Sequence, residues 1–77
     1  MGQAMQSAVR TFARQMEFLT GATPRASDFK FFIERVETEA AHTRFPQVLT
    51  IQIGVMMERT VSGKAEMIEV QVNSAEI

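Results

Sequence analysis

A chain of 77 residues with eight Lys/Arg, nine Asp/Glu and a net charge of −1 predicts a single small domain with no bulk electrostatic pull toward nucleic acid or an anionic membrane. It has no cysteine and one histidine, His42, which excludes disulfides and thiolate metal sites and argues against a histidine-based metal site within one chain. A core this small supplies roughly 3–5 kcal/mol unaided, so association with another chain is the remaining route to extra stability.

No apolar run approaches the roughly 20 residues of a membrane span. Met1-Gly2-Gln3-Ala4-Met5-Gln6 lacks the charged start and apolar centre of a signal peptide, and Ser7 stands one place too late for an N-myristoylation pattern. With the absence of cysteine, which fits a reducing compartment, these features set the expectation of a soluble, cytoplasmic protein.

Residues 3–20 carry Met5, Val9, Phe12, Met16 and Leu19 at alternating steps of four and three, the apolar stripe of a packed amphipathic helix and of a short heptad seam. Ala8 and Ala13 widen the stripe, and Gly21 is placed to end the helix in a left-handed conformation. A second helix starts either with Thr23 as cap and Pro24 as first residue, or with Ser27 as cap before Asp28, and runs to about His42. Its stripe is Phe29, Phe32, Ile33, Val36 and Ala40, which leaves Phe31 over as a candidate contact surface. Lys30 with Glu34 and Arg35 with Glu39 are spaced to pair on the exposed side. His42 falls where the helix dipole favours a cation. The segments differ slightly in charge, +2 over residues 1–26 and −2 over residues 27–42, so the two helices can attract each other.

Pro46 disfavours helical geometry at Phe45 and opens an extended stretch. From Leu49 to Val61 one register reads Leu49, Ile51, Ile53, Val55, Met57, Arg59, Val61, and the other is mostly polar. Ile68, Val70 and Val72 alternate in the same way. This period of two predicts strands over about 47–61 and 64–73, joined at a two-residue turn, Ser62-Gly63. That turn sets Arg59 opposite Glu66, Met57 opposite Ile68, Val55 opposite Val70 and Ile53 opposite Val72. Gly54 marks a bulge or a close backbone approach. The fold class expected is therefore α+β: two helices, then a hairpin whose sheet is completed by oligomerisation.

The alternative is all-α, a helical hairpin or bundle, because Val61, Ala65, Ile68 and Val72 also sit at helical spacing. Ala65-Glu66-Met67-Ile68-Glu69-Val70-Gln71-Val72 resembles the helical C-terminal segment of small flagellar and type III secretion rod-adaptor proteins. Over these eight residues the resemblance implies a helix and a role in a secretion or flagellar apparatus. Gly63, and the spacing back to Pro46, depart from that pattern.

No phosphate-binding glycine loop, nucleophile–base set or metal-ligand spacing occurs, so no cofactor is expected and an enzyme is the lesser expectation. Six methionines stand out. Met5 and Met16 belong to the first helix, whereas Met56 and Met67 fall on the polar face of the hairpin, and methionine is favoured at adaptable binding surfaces. The leading functional expectation is a non-enzymatic interaction or assembly subunit that pairs with itself, as a homodimer or larger, or with a protein partner. The candidate interface is Phe31, Ile53, Val55, Met56, Met57, Met67, Ile68 and Val70. Other readings are a small dimeric nucleic-acid-binding regulator using Arg10 and Arg14, and a small-molecule site between subunits using Arg59, Glu66 or His42.

Overall fold

The computed structural model describes residues 2–77; the part of the N-terminal reading that concerns Met1 lies outside them. Helix α1 spans Gln3–Thr20, helix α2 Ala26–Ala41, strand β1 Val48–Val55 and strand β2 Glu66–Asn73, with 3₁₀ turns at Met57–Arg59 and Ser74–Glu76. β1 and β2 form one antiparallel two-stranded sheet. The fold is thus α+β, and the all-helical alternative is overturned: residues 66–72 of the rod-adaptor-like segment are strand.

α1 buries Met5, Ala8, Phe12 and Met16, with Val9 and Leu19 partly covered. It ends as its sequence predicts, with Gly21 at φ 72° donating its N–H to the Glu17 carbonyl at 2.8 Å. α2 buries Phe32 and Val36, with Phe29, Ile33 and Ala40 partly covered. Its start differs from both expected caps. Arg25 is the N-cap, and the Asp28 carboxylate accepts from the Arg25 backbone N–H at 2.9 Å. A carboxylate in the first turn satisfies an otherwise free donor and complements the positive end of the helix.

α1 packs chiefly against β2, and α2 packs against both α1 and β1. The two helices meet through Phe12, whose ring stacks on Phe32 at 4.5 Å and meets the edge of Phe29 at 6.1 Å. Beneath them lie Leu49, Ile51, Ile53 and Val55 from β1 and Ile68, Val70 and Val72 from β2, all buried. Alternation along both strands therefore sends one whole face into the core.

The register corrects the expected turn. Ile53 lies opposite Ile68, Ile51 opposite Val70 and Leu49 opposite Val72, so the pairing is displaced by four residues from the one a Ser62-Gly63 turn would give. An even displacement keeps every side chain on its face, so the inward set agrees with the sequence pattern while the strand partners differ. β1 ends at Val55 instead of Val61, and β2 begins at Glu66 instead of Lys64. The β-branched run stops at Val55, and Met56-Met57-Glu58-Arg59 offers nothing that favours extension. Val61, expected on the inward face, is exposed.

The connection is closed from within. The Thr60 hydroxyl is buried, 2.7 Å from the Lys64 carbonyl and 3.1 Å from that of Met57. Gly63, at φ 73°, donates to the Thr60 carbonyl. The Val61 N–H donates to the Leu19 carbonyl at 2.8 Å, which ties the loop to the end of α1.

Candidate functional site

The two edges of the sheet are unequal. Ser74 donates its N–H to the Gln47 carbonyl at 2.9 Å, which makes Gln47–Ser74 a hydrogen-bonded pair at the base of the hairpin. Such pairs alternate along an antiparallel ladder. Residues 49, 51, 53 and 55 therefore bond across to β2. The N–H and C=O groups of Val48, Thr50, Gln52 and Gly54 point away from it, and on β2 those of Met67, Glu69, Gln71 and Asn73 do the same.

The β2 edge is bonded by its own chain at one point. Gln15 of α1 donates from Nε2 to the Glu69 carbonyl at 3.2 Å. Further along, Gln3, Ser7 and Arg10 of α1 face Gln71, Asn73 and Glu76 across an open polar cleft of about 490 Å³. Glu66 and Glu69 add charge to this strand. The β1 edge has none of this. Among the described residues no group outside the hairpin bonds to the backbone of Val48, Thr50, Gln52 or Gly54. β1 contains no charge and no proline, and lysine, proline and bulges are the usual means of blunting an edge. Gly54 makes no bulge: it pairs in register with Met67, and a side chain there would meet open space.

Exposed apolar side chains flank the edge at both ends. Phe45 and Val48 stand at its start, 74% and 61% exposed, and Met56 and Met57 at its end, 67% and 54% exposed. The outward face between is polar and self-bonded. Thr50 Oγ1 donates to Gln71 Oε1 at 3.0 Å, and Gln52 Nε2 to Glu69 Oε1 at 3.3 Å.

The candidate interface residues divide sharply. Ile53, Val55, Ile68 and Val70 are core, at most 4% exposed, so their side chains form no surface. Phe31, Met56, Met57 and Met67 are exposed. Phe31 follows Asp28 by three residues and precedes Arg35 by four, which places the three on one stripe of α2, turned from the side where Phe29 meets α1. Phe18, Phe45 and Val61 are exposed as well. Phe18 and Phe45 fall outside the apolar periods, in keeping with their exposure, whereas Val61 falls within one and its exposure is not legible from the pattern.

Residues considered for chemistry do not converge. Arg10 and Arg14 are exposed on α1. Arg59, expected opposite Glu66, instead pairs with Asp28, while Glu66 accepts from the Ser62 hydroxyl at 2.9 Å. The Asp28–Arg59 pair holds the Asp28 carboxyl below its ordinary value: the hydrogen bond from Arg59 lowers it most, burial opposes this, and the Arg25 N–H lowers it further. The Arg59 guanidinium is raised by the same bond. His42 Nδ1 lies 2.7 Å from the Thr38 carbonyl at the end of α2. Among the described residues no acidic, histidine or cysteine group forms a metal cluster, and no helix is long and apolar enough to cross a membrane.

No protein-family model, curated protein or solved structure matches the chain.

Proposed function

We propose that this chain is a non-enzymatic interaction subunit that joins its partner by adding strand to strand along β1. The observation that carries the reading is the contrast between the two edges: β2 bonds to Gln15 of α1, whereas the uncharged β1 has no such bond at its four outward residues, Val48, Thr50, Gln52 and Gly54, among the described residues. Main-chain bonds along such an edge supply affinity, and side chains at alternate positions supply selectivity. The adaptable Met56 and Met57 extend the contact at one end.

The test uses Gln52→Pro. This residue's N–H points away from β2, so proline removes an edge donor and leaves the hairpin ladder intact. Affinity capture with the wild-type chain and with this variant, both checked by circular dichroism, should show specific partners bound by the first and absent from the second. Identical captured sets from two folded baits would overturn the reading.

A further inference from the structure

The β1 edge is complementary to itself. Its free donors and acceptors lie on Val48, Thr50, Gln52 and Gly54, so a second copy running antiparallel can complete the ladder wherever these residues meet one another. A two-fold axis at Ile51 sets Thr50 opposite the second copy's Gln52, and Val48 opposite Gly54. The branched Val48 side chain then lies over the one position of the strand that carries none.

The same axis matches what flanks the strand. Just outside the paired strands it brings the exposed Phe45 before β1 of one copy to the same end as the exposed Met56 and Met57 after β1 of the other. Arg44, in the bend before β1, and Glu58, in the 3₁₀ turn after it, come to that same end with opposite charge. Both are exposed, and neither has an ion pair or side-chain hydrogen bond among the described residues. Moving the axis by one residue, to Gln52, also closes the ladder and sets Val48 opposite Met56, but it puts Thr50 instead of Val48 over Gly54 and pairs Gln52 with itself. A strand edge of eight residues is about 27 Å long and too narrow to fill an interface of roughly 800 Å² per partner. The Phe31 stripe of α2, lying over β1 on the side away from α1, supplies further surface.

We propose that two copies of this chain form an isologous dimer by antiparallel pairing of their β1 edges about Ile51, with Arg44 of each copy closing on Glu58 of the other. The proposal rests on the reading of β1 as a docking edge and names its occupant. The result is a continuous sheet in the order β2-β1-β1-β2, which removes the bare edge and leaves outermost the β2 edges, each bonded to Gln15 and carrying Glu69.

Sedimentation equilibrium over micromolar to near-millimolar concentrations tests it. The wild-type chain dimerises. Gln52→Pro is monomeric with unchanged helix and strand content. Arg44→Glu and Glu58→Arg each weaken the dimer roughly tenfold at low salt, and a chain carrying both regains wild-type association. That rescue can only be intermolecular, because the two residues lie at opposite ends of β1 within one copy. As a second readout, mixing Thr50→Cys chains with Gln52→Cys chains under oxidation gives a disulfide-linked heterodimer, since directly opposed positions are within bridging distance and the chain has no cysteine of its own. A wild-type monomer throughout, or a double charge swap no better than its single variants, overturns the proposal. If a monomeric wild type still captures other partners that Gln52→Pro does not, self-pairing fails and the docking edge stands.

Discussion

The Asp28 carboxylate accepts two hydrogen bonds from the Arg59 guanidinium, each 2.7 Å, across 31 residues of chain. It also caps the Arg25 N–H. One side chain thus fixes the start of α2 and pins the turn that follows β1. The side chains are 14% and 24% exposed, so much of the strength of a bidentate charged pair is retained. Asp28→Ala should cost about 2 kcal/mol of unfolding free energy, read from denaturant midpoints at unchanged slope.

Acid should reveal the same pair. The Asp28 carboxyl titrates below its ordinary 3.8 in the folded chain, so the folded state binds fewer protons than the unfolded one as pH falls. Its stabilising contribution is complete above that ordinary value and disappears as pH falls through the lower folded one. Between neutral pH and the acid limb, wild type should lose more stability than Asp28→Asn. Parallel stability–pH curves would contradict the assignment.

Thr60 is the one buried polar residue among those described, and its hydroxyl closes the loop onto Lys64 and Met57. Thr60→Val keeps the shape and removes the donor to the Lys64 carbonyl, while the Met57 carbonyl keeps the Thr60 N–H, at a cost of about 1–2 kcal/mol. Thr60→Ser, which keeps the hydroxyl, should lose less. Amide exchange at Gly63, bonded to the Thr60 carbonyl, reports loop opening directly.

Gly21 and Gly63 share a left-handed backbone, φ 72° and 73°, but not surroundings. A methyl group on Gly21 would meet Val61 Cγ1 at 3.2 Å, whereas one on Gly63 meets nothing within 4 Å. Gly63→Ala should cost about 1 kcal/mol, the backbone strain alone. Gly21→Ala should cost more, and Val61→Ala in the same chain should recover the excess. Thermal or denaturant unfolding of the three variants separates strain from crowding.

Adjacent residues on α2 should behave oppositely. Phe32 is fully buried and stacks on Phe12, so Phe32→Ala should cost about 3–5 kcal/mol and leave a domain of this size at the margin of folding. Phe31 is half exposed, and Phe31→Ala should leave monomer stability within about 0.5 kcal/mol. Its effect should appear in association instead.

Much of this architecture is legible in the sequence because its signals are local. The stripe from Met5 to Leu19, the glycine ending α1 and the alternation from Leu49 to Val55 each follow from neighbouring residues. The strand partners do not. Period alone does not distinguish displacements by even numbers of residues, so a two-residue turn puts Ile53 opposite Val72 on paper, whereas its partner is Ile68. The end of β1 shows in the sequence only as the loss of β-branched residues after Val55. The Asp28–Arg59 pair joins a helix start to a strand exit and has no local signature. Phe31, left outside the α2 stripe, is uncovered as its position implies. Ile53, Val55, Ile68 and Val70 fit both core and interface by pattern, and their burial makes them core.

Amide hydrogen exchange along β1, measured at high and low protein concentration, tests the central claim most directly. Ile51 and Ile53 bond to β2 and should be protected at both concentrations. Thr50, Gln52 and Gly54 should be protected only at high concentration, and should lose that protection on dilution as the second strand leaves. Fast exchange at Thr50, Gln52 and Gly54 at every concentration would contradict pairing along this edge.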